Sequence, residues 1–265
     1  MFNLYYVSDG TGITAETLGK ALITQFPRLD KRTVTLPFVN TVEKARTTVA
    51  RIRRDAEAGG EPVVFSTILD PEVREELETL ETPVFDFFEQ FVGPLEDIFG
   101  QTLDAGVGRS HGLGDAHAYQ QRISAVDYAL GHDDGVSTDN YARADVILAG
   151  VSRAGKTPTS LYLALQYGLR AANYPFTDDD LEAEHLPAVL REHRNKVFGL
   201  TIEPQRLATI REERSPGSRY ASLPQCRREV AQVEALLRQA GIPTADATRM
   251  SVEELAATIR AHVLG

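Results

Sequence analysis

Short apolar runs alternate with segments of helical periodicity along most of the chain. Residues 4–7 are apolar and aromatic, which predicts a buried strand, and the segment after them has apolar residues at helical spacing. The same alternation predicts further strands at 33–39, 62–68 and 83–88, and helices at 41–58 and from Asp70 onward. Strands that alternate with helices are typical of an α/β fold with a mostly parallel sheet.

A second series of the same kind begins near residue 144. Its apolar runs predict strands at 145–149, 170–174, 196–202 and 241–248. Helical periodicity predicts helices at 156–169, 205–214, 222–240 and from Ser251 onward. Residues 100–115, between the two series, are rich in glycine and small polar residues, which is typical of a linker or a functional loop, and a helix is predicted at 119–130.

The segment before the predicted 156–169 helix carries the clearest chemical signal. It fits the pattern G-x-x-x-x-G-K-[ST] in full, and it lies between a strand and a helix as this motif requires. Glycines in such a loop let backbone N–H groups surround phosphate oxygens, and the helix N-terminus adds positive potential. We expect the lysine to reach the outer phosphates and act in catalysis, and the threonine to bind Mg²⁺. A plain glycine turn is the alternative. The predicted nucleotide-binding residues are Gly150, Val151, Ser152, Arg153, Ala154, Gly155, Lys156 and Thr157.

Arginines on a predicted helix are further candidates for phosphoryl transfer. Arg206 and Arg211 fall on the 205–214 helix, and Arg219 follows it. Lid arginines neutralise charge on a transferring phosphoryl group in small kinases. A solvent-exposed helix face, with Glu212 and Glu213 as intrahelical partners, explains the same pattern equally well.

Two other segments combine turn signals with polar residues. Asp133 and Asp134 follow a predicted helix and could supply a general base, although a capped turn has the same pattern. The segment from Ser8 to Gly12 is a second small-residue loop between a strand and a helix. It could hold a phosphate, but it contains no lysine or arginine, so a plain turn is the alternative.

Composition and charge narrow the class of protein. The chain has 265 residues with 38 acidic and 28 basic side chains, which gives a formal net charge of −10. This charge repels a phosphate backbone, so we expect no nucleic-acid partner. The sequence has no apolar run of about 20 residues and no basic, apolar leader. We therefore expect no membrane association and predict a cytoplasmic protein.

The motif and the alternation together predict an α/β fold in two domains. We expect an N-terminal α/β domain at residues 1–104 and a linker and helical segment at 105–142. Residues 143–265 would form a P-loop kinase-like nucleotide-binding domain with a parallel sheet.

Motifs along nearly the whole chain resemble those of the bifunctional regulators of phosphoenolpyruvate synthase and of pyruvate, phosphate dikinase. The matching segments keep the same order and begin at Ser8 (SDGTG), Thr35 (TLPFV), Tyr128 (YALGHDDG), Gly150 (GVSRAGKTPTS), Ala172 (ANYPF), Gly199 (GLTIEPQRL), Ile210 (IREER) and Ser218 (SRYASLPQCR). Gly155 and the ANYPF string are similar to the phosphoenolpyruvate synthase branch.

The resemblance implies two opposed reactions. The chain would phosphorylate a threonine of phosphoenolpyruvate synthase with ADP as donor, and it would remove that phosphate with inorganic phosphate and release pyrophosphate. Residues 150–157 would hold ADP, with Mg²⁺ expected at Thr157, and Lys156 would stabilise the moving phosphoryl group, with Asp133 or Asp134 as the hypothesised base. The residues alone leave open an ATP-dependent kinase of a small metabolite and a nucleotide-sensing binding module. The oligomeric state is also open, with a homodimer as one option.

Overall fold

Eight parallel strands and eleven α-helices alternate in the computed structural model, which describes residues 1–102, 116–135, 137–183 and 185–264. The chain divides into two compact units, Met1–Gly114 and Asp115–Gly265. The predicted α/β fold is confirmed. Among the described residues, no helix is long and apolar enough to cross a bilayer.

The first unit is a four-stranded parallel sheet with helices on its faces. Its elements are β1 (Phe2–Ser8), α1 (Ile13–Ile23), β2 (Lys31–Leu36), α2 (Val42–Glu57), β3 (Glu61–Thr67), α3 (Pro71–Glu78), β4 (Val84–Asp86) and α4 (Phe87–Phe99). The strand order is β2-β1-β3-β4. Successive side chains of a strand point to opposite faces. Tyr6 therefore packs with Ala15 of α1, whereas Tyr5 packs with Ala45 of α2.

The second unit repeats this arrangement with a larger core. Its elements are α5 (Ala116–Gly131), β5 (Val146–Gly150), α6 (Lys156–Tyr167), β6 (Ala171–Pro175), α7 (Asp178–Glu182), α8 (Ala188–Glu192), β7 (Val197–Thr201), α9 (Pro204–Arg214), α10 (Leu223–Gln239), β8 (Thr244–Asp246) and α11 (Val252–Leu264). The strand order is β6-β5-β7-β8. All five residues of β5 are buried, as its apolar sequence predicts for a central strand.

The strand order places one loop of each unit where ligands usually bind. β1 lies between β2 and β3, and β5 lies between β6 and β7, so in each sheet the second crossover runs in the opposite direction to the first. In parallel sheets such a reversal opens a crevice at the carboxyl ends of the strands. The loops 8–12 and 150–157 both begin at that edge.

Three predicted strands extend two or more residues too far. The strand predicted at 241–248 is limited to Thr244–Asp246, because Gly241 has a left-handed backbone with φ 62° and the Thr248 N–H donates to Asp246 Oδ1 in a turn. The strand predicted at 83–88 ends at Asp86, because the Asp86 carboxylate accepts hydrogen bonds from the N–H groups of Phe88 and Glu89 and starts α4. The strand predicted at 33–39 ends at Leu36, because Phe38, after a proline, has a left-handed backbone with φ 59°.

The helix predicted at 119–130 belongs to the second unit. α5 begins at Ala116 and packs against α6 through Ala125, Ala129 and Ala164. The glycine-rich residues 103–115 of the predicted linker lie outside the described residues.

Candidate functional site

The backbone of residues 150–157 forms a loop between β5 and α6. A Cβ atom at Gly150 would overlap the carbonyl oxygen of Leu200 on β7, so only glycine fits at this close approach of two strands. Arg153 and Gly155 have left-handed backbones with φ 74° and 84°, which turn the chain back toward the helix. No side chain caps the N-terminus of α6. Its first N–H groups are therefore available to an anion.

Lys156 is the first residue of α6 and is only 3% exposed. Its Nζ donates a hydrogen bond to the carbonyl oxygen of Val151 at 2.8 Å, so the side chain folds back into the loop. Burial lowers the pKa of Lys156 from 10.5 to about 7, although Asp134 and Asp133 oppose this shift. A bound phosphate would add negative charge beside Nζ and favour the charged lysine.

Thr157 lies beside a carboxylate and an amide that come from distant parts of the sequence. Its Oγ1 donates to Asp133 Oδ1 at 2.8 Å. Asn173 Nδ2, from β6, donates to the same Asp133 oxygen at 2.5 Å and to Thr157 Oγ1 at 3.1 Å. The predicted metal-binding hydroxyl and one predicted acidic residue therefore meet at the start of α6.

This cluster fits a Mg²⁺ ion through its donor atoms. Mg²⁺ prefers oxygen ligands and is commonly bound by one or two carboxylates together with substrate phosphates. Asp133 and Thr157 supply a carboxylate and a hydroxyl oxygen at one place. Within the described part of the chain, Asn173 Oδ1 is buried without a hydrogen-bond partner, which leaves a further oxygen unused in this cluster.

His132 fixes the acidic turn. Its ring stacks on Tyr128 at a centroid distance of 3.9 Å, and its two nitrogens lie 2.8 Å from the Tyr128 carbonyl oxygen and 2.9 Å from that of Asp139. The backbone N–H of Asn173 donates to the His132 carbonyl oxygen at 3.0 Å. These contacts hold Asp133 against β6, and Asp134 follows with a left-handed backbone at φ 49°.

Arg211 supports the loop from inside the unit. Its guanidinium is fully buried and donates to the Ser152 carbonyl oxygen at 3.1 Å and to Glu229 Oε2 at 2.7 Å. It also lies 3.9 Å from the centre of the Tyr220 ring, and Tyr220 OH donates to Ser152 Oγ at 2.9 Å. These contacts hold the guanidinium inside the unit in this structure, and a catalytic role of Arg211 stays a prediction.

Arg206 lies elsewhere on the same helix. Its side chain is exposed, and in the described residues it makes no hydrogen bond or ion pair. The structure therefore gives Arg206 no contact with the loop, and its catalytic role stays a prediction.

Three contact residues escaped the sequence reasoning. Asn173, Tyr220 and Glu229 touch the loop or its supports but match no chemical motif. The available signal for Asn173 was a polar residue in the middle of β6, the strand that pairs with β5. Tyr220 and Glu229 gave no signal, because nothing in the sequence ties their segments to Ser152.

The loop 8–12 of the first unit has a similar backbone and a different buried charge. Gly12 has φ 81° and begins α1, which also lacks a side-chain cap. Asp9 Oδ2 accepts a hydrogen bond from the Leu69 N–H at 2.9 Å, and Gly10 N–H donates to Ser8 Oγ at 3.1 Å. Burial raises the pKa of the Asp9 carboxyl.

Comparison with known proteins gives matches over nearly the full length. A family model described as kinase/pyrophosphorylase matches residues 4–259. Proteins named "Putative phosphoenolpyruvate synthase regulatory protein" from Halorhodospira halophila (strain DSM 244 / SL1) and Laribacter hongkongensis (strain HLHK9) are 54% and 52% identical to this chain. The alignments cover 97% of this chain and 94% and 95% of those relatives. A protein of the same name from Legionella pneumophila (strain Corby) is 49% identical over 97% of this chain and 96% of its own length. These matches confirm the resemblance found in the sequence motifs.

Proposed function

Because this chain belongs to the kinase/pyrophosphorylase family, we propose that it is a phosphotransferase that regulates a phosphoenolpyruvate synthase in both directions. ADP donates its β-phosphoryl group to a threonine of the target, and inorganic phosphate later removes that group. The names of the relatives support the choice of target, and the family description supports the pair of reactions. ADP and phosphate are intracellular metabolites, so the proposed place of action is the cytoplasm.

One observation carries this proposal: a buried lysine lies inside the loop 150–157, and Thr157 at the end of this loop contacts Asp133 from a distant turn. The loop supplies N–H groups and one buried cation, which suits a diphosphate. ADP contains a diphosphate, and the reverse reaction produces one as pyrophosphate. One loop therefore suffices for both directions, since catalysis of phosphoryl transfer rests mainly on positioning and charge stabilisation.

In the kinase direction the threonine hydroxyl oxygen attacks the β-phosphorus of ADP. A new oxygen–phosphorus bond forms, the bond from this phosphorus to the bridging oxygen breaks, and AMP leaves with the electron pair. The hydroxyl proton passes to a carboxylate. Asp133 already accepts hydrogen bonds from Thr157 and Asn173. Asp134, whose Oδ1 lies 3.5 Å from Asn173 Nδ2, has the less engaged carboxylate and is the proposed base.

In the reverse direction an oxygen of inorganic phosphate attacks the phosphorus of phosphothreonine. The threonine oxygen–phosphorus bond breaks, the threonine oxygen takes the proton that the attacking hydrogen phosphate loses, and pyrophosphate remains in the loop. Lys156 would stabilise the charge of the moving group in both directions. Thr157 and Asp133 would hold Mg²⁺, which offsets diphosphate charge when it is bound.

Transfer of label tests the proposal. The protein is incubated with purified phosphoenolpyruvate synthase and either β-labelled ADP or γ-labelled ATP, and the acceptor is identified by mass spectrometry. We expect label from ADP on one threonine, loss of synthase activity, and release of label as pyrophosphate after phosphate is added. A Lys156→Ala preparation controls for contaminating kinases. Label that moves only from ATP, and only to a small molecule, would overturn the proposal.

The proposed base has its own test. Asp134→Asn removes a proton acceptor that only the kinase direction requires, so the kinase rate should fall about 10²-fold and the phosphorolysis rate much less. Single-turnover rates of both directions are measured with the same enzyme preparation. Equal losses in the two directions would remove Asp134 from this role.

A further inference from the structure

A polar cavity of about 380 Å³ adjoins the loop at Ser152. Ser152 lies five residues before Thr157, and the cavity is lined by none of the residues that contact Thr157. Its walls come from the segment after β6, from α9 and α10, and from the segment between these two helices. The loop thus has a second neighbouring space, apart from the Asp133 cluster.

Some charged groups around this cavity form ion pairs or hydrogen bonds, whereas others form none. Arg211 and Glu229 form a buried ion pair at 2.7 Å, and Gln225 also donates to Glu229. Arg219 is exposed, and within the described residues its side chain has no hydrogen bond or ion pair. The Arg211 Nε atom is buried without a partner in the same part of the chain. The cavity therefore has one uncommitted guanidinium, that of Arg219.

The remaining wall has an apolar part and one carboxylate. Phe176 and Leu181 are both buried and line the cavity together with Tyr220, and the exposed Asp178 lies on the same wall. A guanidinium together with a small apolar wall suits a phosphate monoester on a short aliphatic stem, because the phosphate can accept two parallel N–H bonds and the stem can contact the wall. Phosphothreonine has this chemistry, with a methyl group beside the phosphate-bearing oxygen.

We propose that in the phosphorolysis direction this cavity receives the phosphothreonine side chain of the protein substrate, and that Arg219 pairs with its phosphate. The proposal rests on the proposed function, in which a diphosphate occupies the loop. The donor or acceptor of the phosphoryl group must then approach the loop from a space beside it, and the cavity at Ser152 is such a space. Arg219 would hold the phosphorylated side chain while inorganic phosphate attacks.

Kinetic constants of Arg219 variants test this assignment. The full-length protein acts on phosphorylated phosphoenolpyruvate synthase, and the KM values for the phosphoprotein and for inorganic phosphate are measured with the Kd for ADP. For Arg219→Gln we expect the KM for the phosphoprotein to rise about tenfold or more, as the loss of one charge-assisted pair predicts. The Kd for ADP should stay within about twofold. Arg219→Lys should recover part of the loss, because it keeps the charge without the planar fork.

The matched control is Arg249→Gln, which removes an exposed arginine of the same unit outside the cavity. Equal KM values for Arg219→Gln and Arg249→Gln would overturn the inference, and so would a parallel rise in the Kd for ADP, which would assign the cavity to the nucleotide. A ³¹P NMR titration with a phosphothreonine peptide of the target gives a second readout, in which line broadening should depend on Arg219. Failure of the wild-type protein to dephosphorylate the synthase would instead refute the proposed function.

Discussion

The loops after β1 and β5 share a backbone design but bury opposite charges. Each follows a central strand of a sheet with the same strand order, and each enters its helix through a left-handed glycine, Gly12 or Gly155, without a side-chain cap. The loop 150–157 buries Lys156, whereas the loop 8–12 buries Asp9. The residue after Gly12 is Ile13, which is 56% exposed.

This difference shows what the backbone supplies and what it does not. A left-handed glycine before an uncapped helix presents N–H groups in both units. Within the described residues, only the second unit buries a cation beside these N–H groups, and only there does a carboxylate from another segment contact the first turn of the helix. The buried side chain, and not the shape of the loop, separates a candidate phosphoryl-transfer site from a turn.

The largest expected effect comes from removing the cation. Lys156→Met should lower the rate of transfer in both directions by at least about 10³-fold, because the developing charge on the phosphoryl group loses its buried partner. Ile13→Met is the matched change in the first unit and should leave both rates unaltered. Single-turnover transfer measures both variants. Comparable losses in the two variants would break the distinction between the loops.

The next largest expected effect comes from removing Arg211, which supports the loop 150–157 through Ser152. Arg211→Met leaves Glu229 without its buried cation and removes a donor to Ser152. The free energy of unfolding should fall by about 3–5 kcal/mol, as is typical when one partner of a buried ion pair is removed. Urea denaturation measures it, with exposed Arg206→Met as the control on the same helix. A change below about 1 kcal/mol would mean that the loop does not need this support.

The buried lysine also makes stability depend on pH. Its folded pKa is about 7 against 10.5 for the free side chain, so between these values the unfolded chain binds more protons than the folded one. Stability of the nucleotide-free protein should therefore rise with pH in this window, by up to about 1.4 kcal/mol per pH unit from this residue. Lys156→Met lacks this contribution, and the difference between wild type and variant across pH isolates it. A constant difference would show that Lys156 keeps its proton when folded.

Asp9 should give the smallest effect, with the opposite dependence. Burial raises its pKa, so the ionised carboxylate opposes folding at neutral pH and this penalty fades in acid. Asp9→Asn keeps an oxygen for the Leu69 N–H, and it should stabilise the protein at pH 7 by about 1 kcal/mol or less. Thermal unfolding of both proteins at neutral and acidic pH tests this. Destabilisation at pH 7 would show that the charge itself holds the loop.

The sequence alone predicted the features that are formed by residues close together in the chain. The loop 150–157 was recognisable because its glycines, lysine and threonine lie within eight residues between a strand and a helix. The sequence did not show that Arg206 is exposed and Arg211 is buried, although both lie on α9. Five residues rotate a helix by about 140°, so the two arginines face different ways, and only the packing decides which one is buried.

The residues that contact the loop 150–157 could not be predicted from the sequence for a similar reason. Asp133 was a candidate base, yet its contact with Thr157 depends on His132 holding the turn against β6. Ser152, Arg211 and Tyr220 meet through tertiary packing, and their spacing in the sequence has no period that indicates it. The motif identifies the loop 150–157 in the sequence, and tertiary packing brings the residues that contact it together.

Under the proposed function, the low pKa of Lys156 would couple nucleotide binding to proton uptake. Above pH 7 the amine would be largely neutral in the nucleotide-free protein, and a bound diphosphate would favour its protonation by a proton from the buffer. The heat of ADP binding should therefore change with the ionisation enthalpy of the buffer, and affinity should weaken as the solution becomes more alkaline. The affinity of this loop for ADP would therefore depend on the pH of the solution.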